Sequence, residues 1–268
     1  MQGFEHRWAG LPSGESVADH VKKSQELKNE VDFAADELTD RAIAWLATVP
    51  SSQPIHLLVN YFDPHEPYRT QPGFEVDAPA PGWRRHRRAR LRYDSEIRFM
   101  DHHFGRLLQA LKDDGRYDDA LVVVVADHGE SFGEHENGGH GPWLYEEVLR
   151  VPLLIHFPKG RDAGKVVDAP VSTVDLLPLV AKEVGFPLPP NVEGVPIGER
   201  DLVLAEAHRS DVFTRLAPDR YDRDLVAAIR WPWKLIVPDV GGAELYRLDD
   251  DPTELRDRNG DIEGGPVR

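Results

Sequence analysis

A chain of 268 residues, 40% hydrophobic and 29% charged, has ordinary globular composition and excludes wholesale disorder. Its 47 Asp and Glu against 32 Lys and Arg leave a net charge of −15, which repels a polyphosphate backbone, and the absence of cysteine removes disulfides, thiolate nucleophiles and Cys-ligated zinc. The longest aliphatic run, Leu121–Ala126, falls far short of the roughly 20 apolar residues of a membrane span, and Met1–Trp8 shows neither the apolar core nor the cleavage site of a signal peptide.

Residues 1–33 are polar with little periodicity and are expected to be a loose lead-in. Leu38, Ala42, Trp45, Leu46 and Val49 share one helical face, and Pro50 stops that helix. His56–Phe62 is expected to be a strand ending at Asp63-Pro64, followed by a loop rich in Pro and Gly. The basic run Arg84, Arg85, His86, Arg87, Arg88, Arg90 and Arg92 is expected to be a solvated helix start rather than an anion-binding patch. Tyr93, Ile97, Met100, Phe104, Leu107, Leu108 and Leu111 form the apolar face of a second helix closed by Gly115, with His102 and His103 beside that face as structural or exposed residues.

Leu121–Ala126 is continuous, β-branched and of strand length, the pattern of a strand buried on both faces in a parallel sheet. Strand, helix, strand at this spacing predicts a right-handed βαβ unit, with Asp63 and Asp127 on one edge of the sheet. Val151–Phe157 is a third strand and Leu202–Glu206 a fourth, with a short helix over Leu177–Val184 between them. Val226–Arg230, Lys234–Val237 and Glu244–Leu248 predict an antiparallel tail, in which Trp231 and Trp233 are packing residues. The expected division is a lead-in over 1–33, an α/β domain over 34–206, an antiparallel subdomain over 207–252 and a frayed tail over 253–268.

The chemistry collects at the two strand ends. One delivers Asp63-Pro-His65-Glu-Pro-Tyr68 and the other Asp127-His128-Gly129-Glu130. A carboxylate beside an imidazole presents both to one cation, although Asp127 as a helix cap with His128 as a polar loop residue explains the same pair. Between Asp127 and His140, three His and four acidic residues (Asp127, Glu130, Glu134, Glu136) alternate with glycines, which let backbone approach a bound group closely.

Asp127-His-Gly-Glu-Ser-Phe-Gly-Glu-His135, Gly139-His-Gly141 and Leu144–Ile155 closely resemble the sulfatase family of the alkaline-phosphatase-like superfamily. Tyr61–Tyr68 resembles its His-Pro-Tyr substrate loop, Tyr93–Ile97 with Asp101 the helix after it, Val171–Pro178 the turn into its late helix, and Trp233–Ile236 with Glu244–Tyr246 its C-terminal subdomain. The resemblance implies an α/β/α sandwich with a mostly parallel sheet, lacking its N-terminal part, plus a small C-terminal antiparallel element. It implies that Asp127 and His128 complete a divalent-metal site, usually calcium, with manganese or zinc as alternatives because His128 stands where many sulfatases have Asn. It implies that His65 contacts the sulfate group, that His140 lies near the leaving oxygen, and that His135 and Glu130 support them from behind. The substrate would be a sulfate ester, small molecule or glycan.

The family's adjacent metal-binding Asp pair and its C/S-x-P-x-R motif, the formylglycine precursor, have no counterpart in this chain; Ser52-Gln-Pro-Ile-His56 fails in its final residue. The chain is therefore expected to be the C-terminal half of a split or truncated sulfatase, with no nucleophile of its own. The alternatives are a phosphoryl hydrolase or transferase of the same superfamily and a catalytically inactive remnant.

Overall fold

The computed structural model describes residues 34–77 and 86–261, in two units: 34–77 with 87–117, and His86 with 118–261. The expected lead-in, Arg84, Arg85 and the tail from 262 onward lie outside the described residues.

In the first unit, helix α1 (Ala35–Leu46) buries Ala35, Thr39, Ala42 and Leu46, the i, i+4, i+7, i+11 stripe of one helical face. Asp36 and Glu37 complement the positive end of its dipole, and the Asp63 carboxylate accepts a 3.0 Å hydrogen bond from the Ala35 amide, satisfying one of the donors a helix start leaves open. The helix ends at Leu46, three residues before the end expected from Val49. The Arg116 guanidinium donates to the carbonyls of Val49 (2.9 Å), Pro50 (2.6 Å) and Gln53 (2.6 Å), so this turn is held by a side chain from far along the chain.

Residues 55–62 correct an expectation. Ile55, Leu57 and Val59 pack against the Ala42–Leu46–Leu107 core while Leu58 is exposed, but these residues form no ladder among the described residues. The period-2 alternation of a one-faced strand is present; the parallel pairing is not.

Helix α2 (Arg87–Asp113) has 27 residues, about 40 Å at 1.5 Å per residue. The described arginines of the basic run lie in its first turns, where Arg90 pairs with Asp94 at 2.9 Å. The residues it buries are Ser95, Glu96, His103 and Leu107, more polar than the expected apolar face. Ser95 and Glu96 grip the loop after Asp63: the Gln71 amide donates to Ser95 Oγ and the Arg69 amide to Glu96 Oε1, both at 2.9 Å. Glu96 Oε2 is buried without a hydrogen-bond partner, and burial pushes this carboxyl up to about 7. A carboxyl raised on folding stabilises below its unfolded value and loses that contribution as pH rises toward its folded value. Glu96→Gln is therefore expected to stabilise the first unit at pH 8 by up to about 3 kcal/mol and to have little effect at pH 4.5. Urea unfolding at both pH values checks this, and equal effects at both would contradict the buried carboxyl as the cause.

In the second unit, β1 (Val122–Val125) and β4 (Leu153–His156) form a two-stranded antiparallel sheet with Val123 opposite Ile155. This corrects the mostly parallel sheet: every ladder among the described residues is antiparallel. The valine run specifies strand length and burial, but apolarity on both faces carries no information about the direction of the neighbour.

Helix α4 (Leu176–Val184) follows the short turn α3 (Glu146–Leu149) and closes at Gly185, whose φ of 75° is the left-handed cap a glycine adopts at least cost. Before α4, Ser172 and Asp175 form a capping box, and Arg200 donates to both Asp175 oxygens at 2.8 and 2.6 Å. Burial raises the Asp175 carboxyl, but the Arg200 guanidinium and two backbone amides outweigh it and hold the group below its ordinary range.

The C-terminal sheet has four antiparallel strands, β5 (Val203–Ala207), β6 (Leu225–Arg230), β7 (Trp233–Pro238) and β8 (Glu244–Arg247), in that order. The strand expected to close the α/β domain at 206 is thus the edge of this sheet, paired to β6. Leu225, Ala227, Ile236, Tyr246 and Leu248 cover one face and pack with Leu144. The expected frayed tail is also corrected over 253–261: Asp251 accepts from the Leu255 and Arg256 amides, and Glu254 is 2% exposed.

Candidate active site

Two residues past β1, the backbone leaves the sheet at Asp127. Asp127 Oδ1 accepts from the His128 amide at 3.0 Å, and its side chain is 90% exposed. His128 Nδ1 lies 2.8 Å from the Gly129 carbonyl, which fixes Nδ1 as the donor, and Nε2 lies 3.8 Å from Asp127 Oδ2. A carboxylate and an imidazole nitrogen on one side of a turn are donor types that suit two ligands of a divalent cation. Among the described residues no group of three or more His, Asp or Glu stands ready to hold a metal ion.

Gly129 makes the turn possible. Its amide donates to the Val148 carbonyl at 2.8 Å, and a Cβ built on it would overlap the Glu147 carbonyl oxygen. Gly129→Ala is expected to lose that hydrogen bond and shift the Asp127–His128 turn away from α3, costing about 1–3 kcal/mol in urea unfolding. A variant within about 0.5 kcal/mol of the parent would show that the turn gives way freely.

His140 returns to this turn through a small ladder. β2 (Ser131–Phe132) pairs with β3 (Gly138–Gly139), with Ser131 opposite Gly139, so the next residue outward on each side is Glu130 and His140. Their side chains meet at 3.3 Å, the Glu130 side chain is 4% exposed, and the His140 ring lies 3.9 Å from that of His128 at 30°. Four of the expected site residues, Asp127, His128, Glu130 and His140, thus come together within one unit.

His135 is placed differently. Its ring stacks on Tyr145 at 3.8 Å and 7°, with Nδ1 3.0 Å from Glu147 Oε1 and Nε2 3.0 Å from the Glu254 carbonyl. Behind it lies a group the sequence did not point to. Lys234 is fully buried, with Nζ 2.9 Å from Glu146 Oε1 and 2.8 Å from Glu254 Oε1, and Glu254 Oε2 accepts from the Glu146 amide at 2.6 Å. Glu244 Oε2 accepts from both Tyr145 OH (2.8 Å) and Tyr246 OH (2.7 Å), phenols whose ionisation burial pushes well up. The available signal was the alternation of β7, which turns Lys234 inward between exposed Trp233 and half-buried Leu235.

His65 belongs to the first unit. It stacks on Phe62 at 4.3 Å and 16°, and its Nδ1 lies 2.7 Å from the Glu66 carbonyl. His103 is buried and packs on Phe99, with Nδ1 3.0 Å from Arg106 Nη1. Burial, followed by Arg106 and His102, lowers its ionisation, which suits a structural histidine.

One turn thus carries a strand-end carboxylate and imidazole with a second imidazole beside them, and comparison with known proteins identifies the family. The sulfatase family model matches residues 1–185, and the chain belongs to that family. A sulfatase of Escherichia coli, YidJ, is 29% identical over 177 residues, which are 63% of this chain and 34% of that protein. An arylsulfatase of Clostridium perfringens is 33% identical over 121 residues, 44% of this chain and 24% of its own length. The chain thus spans about a third or less of the curated relatives it matches. Among solved structures, a sulfatase from Bacteroides fragilis superposes with a TM-score of 0.72 at 20% identity, covering 86% of this chain and 55% of the other. A phosphonate monoester hydrolase from Silicibacter pomeroyi gives 0.68 at 22% identity, with 85% and 57% covered. The fold is that of the alkaline-phosphatase-like sulfatases. No described helix is long and apolar enough to cross a membrane.

Proposed function

We propose that this chain is the metal-completing and leaving-group half of a sulfate monoester hydrolase. The observation that carries the proposal is the meeting of Asp127, His128, Glu130 and His140 on one turn. Asp127 and His128 hold two positions of a divalent cation, calcium by family resemblance. When bound, such a cation offsets charge on the sulfate oxygens and favours ionisation of the attacking group.

By family resemblance, His65 is the residue of this chain that would contact the sulfate group. His140 holds a proton for the leaving alcohol oxygen, and the Glu130 carboxylate orients its ring through Nδ1. The nucleophile and the remaining carboxylate ligands come from outside these 268 residues, because the chain contains no cysteine and no Ser-x-Pro-x-Arg. The substrate is a sulfate ester of a small molecule or glycan.

A second reading, phosphoryl or phosphonyl ester hydrolysis, is favoured by His128, which stands where many sulfatases have Asn. Competing turnover of an aryl sulfate and an aryl phosphate separates the two, using the chain joined to a segment that carries C/S-x-P-x-R and the Asp pair. The proposal expects the sulfate to be preferred. Preference for the phosphate would assign the second reading, and turnover of neither would assign a remnant.

A further inference from the structure

We infer that His135 is held as a doubly protonated imidazolium whose charge pins the loop from Gly133 to Gly141, and with it His140, to the α3 turn. Both ring nitrogens face acceptors that have no proton to give: Nδ1 faces the Glu147 carboxylate and Nε2 the Glu254 carbonyl, each at 3.0 Å. A neutral imidazole carries one N–H and one lone pair, so either tautomer would set a lone pair against an oxygen lone pair in a site where His135 and Glu147 are each 12% exposed. With the Glu147 carboxyl ionised, only the cation satisfies both contacts.

The charges around the ring agree. Glu146, Glu147 and Glu254 come from α3 and from the segment after β8, and Lys234 on β7 is the only ammonium among them. An imidazolium supplies a second buried cation to a group that is otherwise too negative. Tyr145 beneath the ring directs its hydroxyl away to Glu244, and on the loop side Arg220 donates to the His135 carbonyl and lies 3.7 Å from Glu136. Burial by itself lowers the ionisation of His135, but the Glu147 hydrogen bond and the Glu254 carbonyl outweigh it and raise the group above the ordinary histidine value.

The loop needs the pin. His135 and Glu136 sit at φ of 48° and 58°, in the left-handed region that non-glycine residues occupy only when held there. Below the raised folded value the charged contact is complete; as pH rises through that value it is lost and the loop is released. His135 is thus a positioning residue. Its consequence for catalysis rests on the role proposed for His140, whereas the charge state itself does not.

The test is nuclear magnetic resonance on the 268-residue chain with no substrate. The expected result is a His135 midpoint above 6.5, both ring nitrogens protonated below that midpoint, and Gly138, Gly139 and Gly141 amides that titrate with the same midpoint. Glu147→Gln should move that shared midpoint down by about one unit or more, and His135→Gln should abolish the loop transition while circular dichroism stays unchanged. A single neutral tautomer below pH 6.5, or loop amides that do not follow the His135 midpoint, would overturn the inference. Should both variants unfold, the titration of the parent chain decides alone. Failure of the hydrolase proposal leaves these outcomes untouched, since none reads turnover.

Discussion

Lys234→Met is expected to destabilise the second unit by about 3–5 kcal/mol at pH 8, the largest stability effect of any single substitution named here. The Lys234 and Glu254 side chains are 0% exposed and Glu146 is 17% exposed, so removing the ammonium leaves two desolvated carboxylates with no cation between them. The loss should shrink at pH 5. Burial already raises the Glu254 carboxyl in the presence of Lys234, and removing the cation raises it further, so the group takes up a proton more readily as pH falls and its penalty shrinks. Urea unfolding at both pH values measures this. A loss below about 1 kcal/mol, or one equal at both pH values, would show that the network is solvated.

The second large effect falls on turnover. In the chain joined to a nucleophile-bearing segment, Asp127→Ala and His128→Ala should each lower kcat/KM for an aryl sulfate by about 10²–10⁴, because each removes a donor from the position where the sulfate charge must be offset. His65→Ala should lower it by a similar factor. Glu130→Gln keeps the shape of the residue that orients His140 and should cost less, mainly in kcat. Asp127→Ala with unchanged turnover would remove this turn from the active site.

The parts legible in the sequence are those written locally. The stripe Leu38, Ala42, Trp45, Leu46 specifies α1, the four valines specify β1, and the alternation from Val226 to Leu248 specifies three of the four C-terminal strands. The site turn was legible for the same reason: residues 127 to 140 fold back on themselves through a ladder of two residues a side, so side chains near in sequence are near in space.

What was not legible is non-local. The antiparallel partner of β1 lies thirty residues on, and nothing in Val122–Val125 states its direction. β5 resembles a further strand of the α/β domain until its pairing with Ala227 and Val226 is seen. Lys234 and Glu254 resemble solvated charges, because a burial that depends on mutual pairing across strand, turn and tail leaves no periodic trace. The Asp-rich stretch around Asp251 looked like the end of order, yet its carboxylate caps the next turn and sets Glu254 in place.

Under the proposed function, this chain binds and orients while the attacking group comes from elsewhere. Turnover of a chromogenic aryl sulfate by the purified 268-residue chain, with calcium or manganese present, tests it most directly. The expected result is no hydrolysis above the metal-only control, with activity appearing once a segment carrying C/S-x-P-x-R and the Asp pair is joined. Robust hydrolysis by the chain alone, abolished by His128→Ala, would contradict the claim and place a complete nucleophile within these residues.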